Sequence, residues 1–325
     1  MPKPRSTDAK LERLRQLRDQ NPSPEIRIEL QNALLDASNH VIAAAAAIIA
    51  RQRVTDLIPN LVAAFDPLMV DPLKSDKTCA GKTAIIDALN ELDWQDPDVF
   101  LIGIRHVQLE PAWGGPTDTA ASLRAGCALG LARTGYSKAL PILVDLFADP
   151  ERVVRLATAQ ALAASGGNAA RLLLRLKARL GDHDPDVTGE CLAGLMRAEP
   201  QESVSFVTEF LHNDDADIIE VALLAFGNSR HAAAFTALKD YWDTRPPADL
   251  QRTALLAIAL LRMTAATDFL FALVADAPES TASQALAALA ILNYDPRIHE
   301  RAAAAVKTRN KTSLHDLFIE KFRAK

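Results

Sequence analysis

An all-α fold, an α-solenoid of about eight antiparallel helical hairpins, is what this sequence predicts, on three observations. The first is composition: 325 residues, 49% hydrophobic but only 5% aromatic, make a folded chain longer than one compact core encloses, at roughly 250–300 residues. The second is an internal repeat, which aligns DPERVVRLATAQAL at 149–162 with DHDPDVTGECLAGL at 182–195 and sets Val154 on Val187. The third is the lack of any sustained polar and apolar alternation of the kind that marks a sheet.

Taking that valine as an anchor, the repeat runs through Val41, Thr78, Leu123, Val154, Val187, Ile218, Leu250 and Thr281, at intervals of 37, 45, 31, 33, 31, 32 and 31 residues. Five positions on stand Ala46, Thr83, Ala128, Ala159, Leu192, Leu223, Leu255 and Leu286. Eight positions on, every residue is apolar, from Ile49 and Ile86 to Ile258 and Leu289. Offsets of five and eight lie on one stripe of a helix with 3.6 residues per turn. A second apolar segment of helical length precedes each anchor, as in KALPILVDLF at 138–147, so each unit is a helical hairpin. Alanine runs such as Ala43–Ala47 suit close helix packing and helix propensity.

Five residues before the anchors stand Asp36, Asp118, Asp149, Asp182, Asn213 and Asp276, with Leu73 and Arg245 as exceptions. An acid or amide there can accept hydrogen bonds from the free amides that open the second helix. Arg124 and Arg155 follow their anchors by one residue and are placed to pair with an Asp of their own or an adjacent unit.

With Asp149, Pro150, Val154 and Arg155 in this order, the unit resembles the HEAT family, and most closely the short HEAT-like units of phycobilisome lyases. The resemblance spans roughly 26–292, is strongest over 118–292, and weakens in the long-spaced second and third units and at Arg245. It implies a right-handed superhelix of helix pairs whose groove grips another macromolecule.

The domain reading is a basic N-terminal capping helix at 1–25, the solenoid at 26–292 with an insertion near 106–120, and basic capping helices at 293–325. Leu11, Leu14 and Leu17 share one side of the first helix, and Leu314, Leu317, Phe318 and Phe322 one side of the last, as polar-faced covers for a repeat array require. Residues 1–20 carry six Lys/Arg against three Asp/Glu, and 297–325 eight against three; subtracting these +3 and +5 balances from the net −5 leaves about −13 for the middle. That acidic body argues against nucleic acid, whose binding depends on clustered Lys and Arg. No uncharged run approaches the ~20 residues of a membrane span and no secretory leader is evident, so the expectation is a cytoplasmic, bacterial protein.

Function is expected in HVQLEPAWGGPTDTA, where the repeat is most disturbed, since insertions in a repeat array emerge on one face, often the binding face. His106, Gln108, Glu110 and Trp113 are the partner-binding candidates, with Trp113 a ledge beside Gly114–Gly115. The competing reading makes Trp113 a plug between mismatched units. His106 and Glu110 are too few for a metal site, and Pro111 breaks any helix that would align them. His299–Glu300 resembles one His-Glu pair of deoxyhypusine hydroxylase, a HEAT-like di-iron enzyme, but that family's pattern needs several pairs, so His299 is taken as a surface histidine. Cys79, Cys127 and Cys191 fit neither a disulfide framework nor a zinc motif and are taken as packing residues.

No complete catalytic or metal motif is present, so neither cofactor nor metal is expected. The functional expectation is a non-catalytic scaffold or adaptor that binds a protein or peptide of basic character. The alternative is an accessory subunit or enzyme of chromophore or protein modification of the bilin-lyase type.

Overall fold

Helix boundaries follow the chain's own punctuation. The computed structural model describes residues 6–322, and proline stands at the first turn of several helices, at Pro24, Pro185, Pro200 and Pro296, where its missing N–H costs nothing. The side chains of Ser23, Asp184, Asp215 and Asp295 cap the helices that follow them. By its internal contacts the chain divides into two units, Met1–Ala170 and Arg171–Lys325. The first five and last three residues of the expected caps lie outside the described residues.

The first unit runs α1 (Thr7–Leu17), α2 (Pro24–Ala33), α3 (Asn39–Arg51), α4 (Ile58–Met69), the single turn α5 (Pro72–Ser75), α6 (Ala80–Glu91) and α7 (Asp98–Gly103). A hairpin of β1 (Leu109–Ala112) and β2 (Gly115–Asp118) follows, then α8 (Ala121–Arg133), α9 (Ala139–Leu146) and α10 (Arg152–Ser165). Helices α3, α6, α8 and α10 pack in succession, each against the next, with α2, α4, α7 and α9 as their hairpin partners. The unit division falls within α11 (Gly167–Leu180). The second unit continues through α12 (Pro185–Ala198), α13 (Pro200–Phe210), α14 (Ala216–Ser229), α15 (Ala232–Asp243), α16 (Ala248–Leu260), α17 (Thr264–Asp276), α18 (Glu279–Leu289), α19 (Pro296–Arg309) and α20 (Thr312–Lys321). There α12, α14, α16 and α18 form the inner succession. The fold is the all-α solenoid that the repeat predicts, its helix pairs stacking on their neighbours within each unit.

The inner helices bury one recurring stripe. In α12 it comprises Val187, Thr188, Cys191, Leu192, Gly194 and Leu195, offsets 0, 1, 4, 5, 7 and 8 from the anchor. In α3 the same offsets are Val41, Ile42, Ala45, Ala46, Ile48 and Ile49. This is the contact face of a helix packed by its i, i+4 and i, i+7 rows.

The stripe also corrects the register of the second repeat. Thr78 lies ahead of α6 in a left-handed turn, with φ +59°, not inside a helix. The buried residues of α6 are Gly81, Lys82, Ile85, Ile86, Ala88 and Leu89, so the anchor is Gly81. A Cβ at Gly81 would meet Leu68 Cδ1 at 2.9 Å and Asp76 Oδ1 at 3.2 Å, which is why no valine stands there. Asp76 then takes the acidic column in place of Leu73, and Lys82 the place of Arg124 and Arg155. The intervals either side become 40 and 42 residues, from positions 41, 81 and 123.

The acidic column acts one step earlier than expected. Oδ1 of Asp36, Asp118, Asp149, Asp182 and Asn213 each accepts from the backbone amide two residues on, at 2.9–3.0 Å, so these side chains fix the turn before the helix. Asp76 instead accepts directly from helix-opening amides, Gly81 N at 2.8 Å and Lys82 N at 2.9 Å. The insertion also departs from expectation by forming a two-stranded sheet. Its strands are four residues each and contain Pro111, Pro116 and Gly115, too short and too proline-rich to register as strands in the sequence.

Candidate functional site

Among the described residues the buried charged ones are Asp76, Lys82 and Arg124, all in the first unit, and they join into one network. Lys82 Nζ, fully buried, lies 3.1 Å from Asp76 Oδ2, which is equally buried. It also donates to Leu68 O at 3.2 Å and to Gln108 Oε1 at 3.0 Å. A charged pair can remain in such a place only when its remaining hydrogen-bonding capacity is also filled. Asp76 meets that demand through Gly81 N, Lys82 N and Asn39 Nδ2, the last at 2.9 Å.

Gln108 ties the base of the hairpin to this pair. Its Nε2 donates to Asp76 O at 2.8 Å and Glu110 Oε1 at 2.7 Å. Its backbone N–H donates to Asp118 Oδ1 at 3.0 Å. Glu110 Oε1 further accepts from Thr78 N at 2.6 Å and Thr119 Oγ1 at 2.8 Å. Burial pushes the Glu110 carboxyl up, but the hydrogen bonds from Gln108, Thr119 and Thr78 outweigh it and hold the group below the usual carboxylate range. Arg124 closes the other end, reaching Asp118 at 2.6 Å, Asp149 through two nitrogens at 2.8 and 2.9 Å, and His106 O at 2.9 Å. Here the Asp–Arg ladder links one repeat to the next. Burial pushes the Asp118 carboxyl up, and the amides of Gln108 and Ala120 with Arg124 bring it below its ordinary value.

The hairpin standing on this base turns an apolar face outward. Residue alternation sends Gln108 and Glu110 into the network and Val107, Leu109 and Pro111 to the other side. Val107 and Leu109 are each 57% exposed, and Pro111 is exposed with its cross-strand neighbour Pro116. At the tip, Trp113 is 106% exposed, so its ring touches almost nothing of its own chain. Gly114 and Gly115 take φ +100° and +128°, which lets the chain reverse directly after the indole. Thr119 N bonds Gln108 O, so 108 and 119 are a bonded pair and the facing prolines occupy a non-bonded one. Their missing N–H groups would face outward, so each open edge of the sheet carries a proline that resists strand addition. The surface on offer is therefore the face and tip of the hairpin.

Of the four candidate residues, Trp113 alone is free. His106 lies with Nε2 3.1 Å from Gln108 Oε1, and Gln108 and Glu110 are occupied as above. These three fasten the hairpin, and Trp113 is not a plug between repeats. Sequence reasoning missed Lys82 and Asp76, hidden by the register error, and the outward set of Val107, Leu109, Pro111 and Pro116. The alternation of Val107, Leu109, Pro111 and Trp113 with Gln108 and Glu110 is the signal that could have exposed the latter.

The cysteines are all free and buried. Burial raises Cys79 to about 11 and Cys191 to about 12, and lifts Cys127 well above its ordinary value, so all three remain protonated thiols at neutral pH. His299 bonds Asn293 Oδ1 through Nδ1 at 2.8 Å and meets the rings of Phe318 and Phe322 edge-on, a packing histidine between α19 and α20. Among the described residues no three His, Cys, Asp or Glu side chains converge as a metal-holding set, and no helix is long and apolar enough to cross a membrane.

No family model matches this sequence, and no curated protein does. Among solved structures 38 chains match, one of them human deoxyhypusine hydroxylase in complex with glycerol. It is 18% identical, over 81% of this chain and 92% of that one, with a TM-score of 0.31. By its description that neighbour is a hydroxylase, not the non-catalytic scaffold or adaptor expected from the sequence, and that expectation is not carried forward.

Proposed function

We propose that this chain works in protein modification, as an enzyme or accessory subunit of the kind that the resemblance to the HEAT-like repeats of phycobilisome lyases implies, and that the Trp113 hairpin engages the protein being modified. The observation that carries this reading is the complete exposure of Trp113 on a hairpin whose base is locked by buried hydrogen bonds. Contiguous exposed apolar residues mark contact surfaces, and tryptophan is the side chain that most often dominates one. A held hairpin loses little conformational freedom on docking, which leaves more of the contact energy as affinity. The acidic middle of the chain, near −13 by the segment count above, favours a basic partner.

The test compares cells lacking the protein with cells complemented by wild type or by Trp113→Ala, using intact-mass and peptide mapping of the proteome. The reading expects a defined mass change on one or a few proteins that wild type restores and Trp113→Ala does not. Identical maps in all three backgrounds would contradict it.

A further inference from the structure

In the second unit a separate hollow of about 260 Å³ opens between the α16–α17 connection and the start of α19. Three arginines line it, Arg262, Arg297 and Arg301, together with Tyr294, Thr264 and Asp295. Two of the three are already matched. Arg297 holds Asp295 through Nε at 3.2 Å and Nη2 at 2.9 Å, and Asp295 Oδ1 also receives Arg297 N at 3.0 Å. Arg301 reaches Asp268 at 2.8 Å while lying over the Phe271 ring at 4.2 Å.

Arg262 is different. It has no carboxylate partner among the described residues, and its guanidinium carbon sits 5.5 Å from the Tyr294 ring centre. Three cations against Asp295 and Asp268 leave this wall with one positive charge in excess, in a chain whose net charge is −5. The Tyr294 hydroxyl likewise has no hydrogen bond to protein among the described residues. Guanidinium forks match the geometry of phosphate and carboxylate oxygens, and an aromatic ring beneath one of them holds its plane in place.

We infer that this hollow is a binding site for a small oxyanion-bearing metabolite, phosphorylated or polycarboxylate, which takes Arg262 as its principal ion-pair partner and Arg297 and Arg301 as flanking donors. The volume lies just below the usual ~300–1,000 Å³ of sites for drug-sized ligands, so the ligand is compact. The site is independent of the Trp113 hairpin, which belongs to the other unit.

Isothermal titration of the full chain with pyrophosphate and with citrate, at ionic strength matched by sodium chloride, tests the inference. Saturable binding of at least one probe is expected, weakened about tenfold or more in Arg262→Gln and in Arg301→Gln, the loss typical of a charged hydrogen bond. Arg230→Gln, on the α14–α15 connection and outside the hollow, should leave it unchanged. Binding of pyrophosphate alone assigns a phosphoryl ligand, and of citrate alone a polycarboxylate. Circular dichroism confirms that each variant is folded. No saturable heat from either probe, or equal affinity in wild type and both hollow variants, overturns the inference.

Discussion

The first and second units are built from the same helical hairpin yet solve the turn before the inner helix in different ways. In the second unit the repeat interval stays at 31–32 residues, Asn213 closes a local turn, Asp182 closes its own turn while pairing with Lys177 at 2.8 Å, and Asp184 and Asp215 cap the helices that follow. Around α6 and α8 in the first unit the interval lengthens to 40 and 42 residues, and the same column position carries a fully buried acid, Asp76, against a fully buried Lys82. Between 81 and 123 the added residues include the hairpin, and Gln108 at its base bonds back to Asp76 and Lys82. An irregular spacing thus marks where the array has traded uniform apolar packing for a fixed projecting element.

The largest effect should come from breaking the buried pair in the first unit. Lys82→Met removes one charge and leaves Asp76 buried and uncompensated, an expected loss of about 3–5 kcal/mol on chemical denaturation. Asp215→Ala, which removes a helix cap in the second unit, should cost about 1 kcal/mol. Equal losses would erase the contrast. Gln108→Ala comes next, at about 1–3 kcal/mol, because it strips partners from Lys82 and Glu110 together.

Acidity sharpens the comparison. The Glu110 and Asp118 carboxyls are held below their ordinary values, so their stabilisation is fully present above the unfolded carboxyl pKa of roughly 4 and is lost as pH falls through the folded values. Thermal unfolding followed from pH 6 down to pH 3 should therefore show a smaller decline in Glu110→Gln than in wild type. The smallest stability effect is expected for Trp113→Ala, within about 0.5 kcal/mol, since the ring packs on nothing. The same change should cost about 2 kcal/mol or more in affinity for the protein partner, measured by titration once that partner is in hand.

The regular part of this architecture was legible because its signal is periodic. Val154, Val187, Ile218 and Leu250 recur at nearly one interval, and the residues eight positions on stay apolar, which is what a buried helix stripe requires. The register at the second repeat was not legible. Gly81 carries no apolar side chain to mark the anchor, and Lys82 places a charge where burial is the rule, so Thr78 and Leu73 aligned by default. The candidate site was legible by position, since the repeat breaks at 106–120, but the roles within it were not. His106, Gln108 and Glu110 look like surface ligands until Lys82 and Asp76 are placed beneath them. Strand pairing across Trp113 and Gly114 depends on partners that a one-dimensional pattern of four-residue strands barely encodes.

The claim on which this account turns is that the network around Lys82 and Gln108 holds the hairpin, and with it Trp113, in one pose. Hydrogen–deuterium exchange resolved to the amides of 109–119 tests it most directly. Protection of Glu110, Ala112, Thr117 and Thr119 is expected in wild type, falling sharply in Gln108→Ala while α14 and α16 keep theirs. Hairpin amides that exchange at open-chain rates in wild type, or that are unmoved by Gln108→Ala, would contradict it.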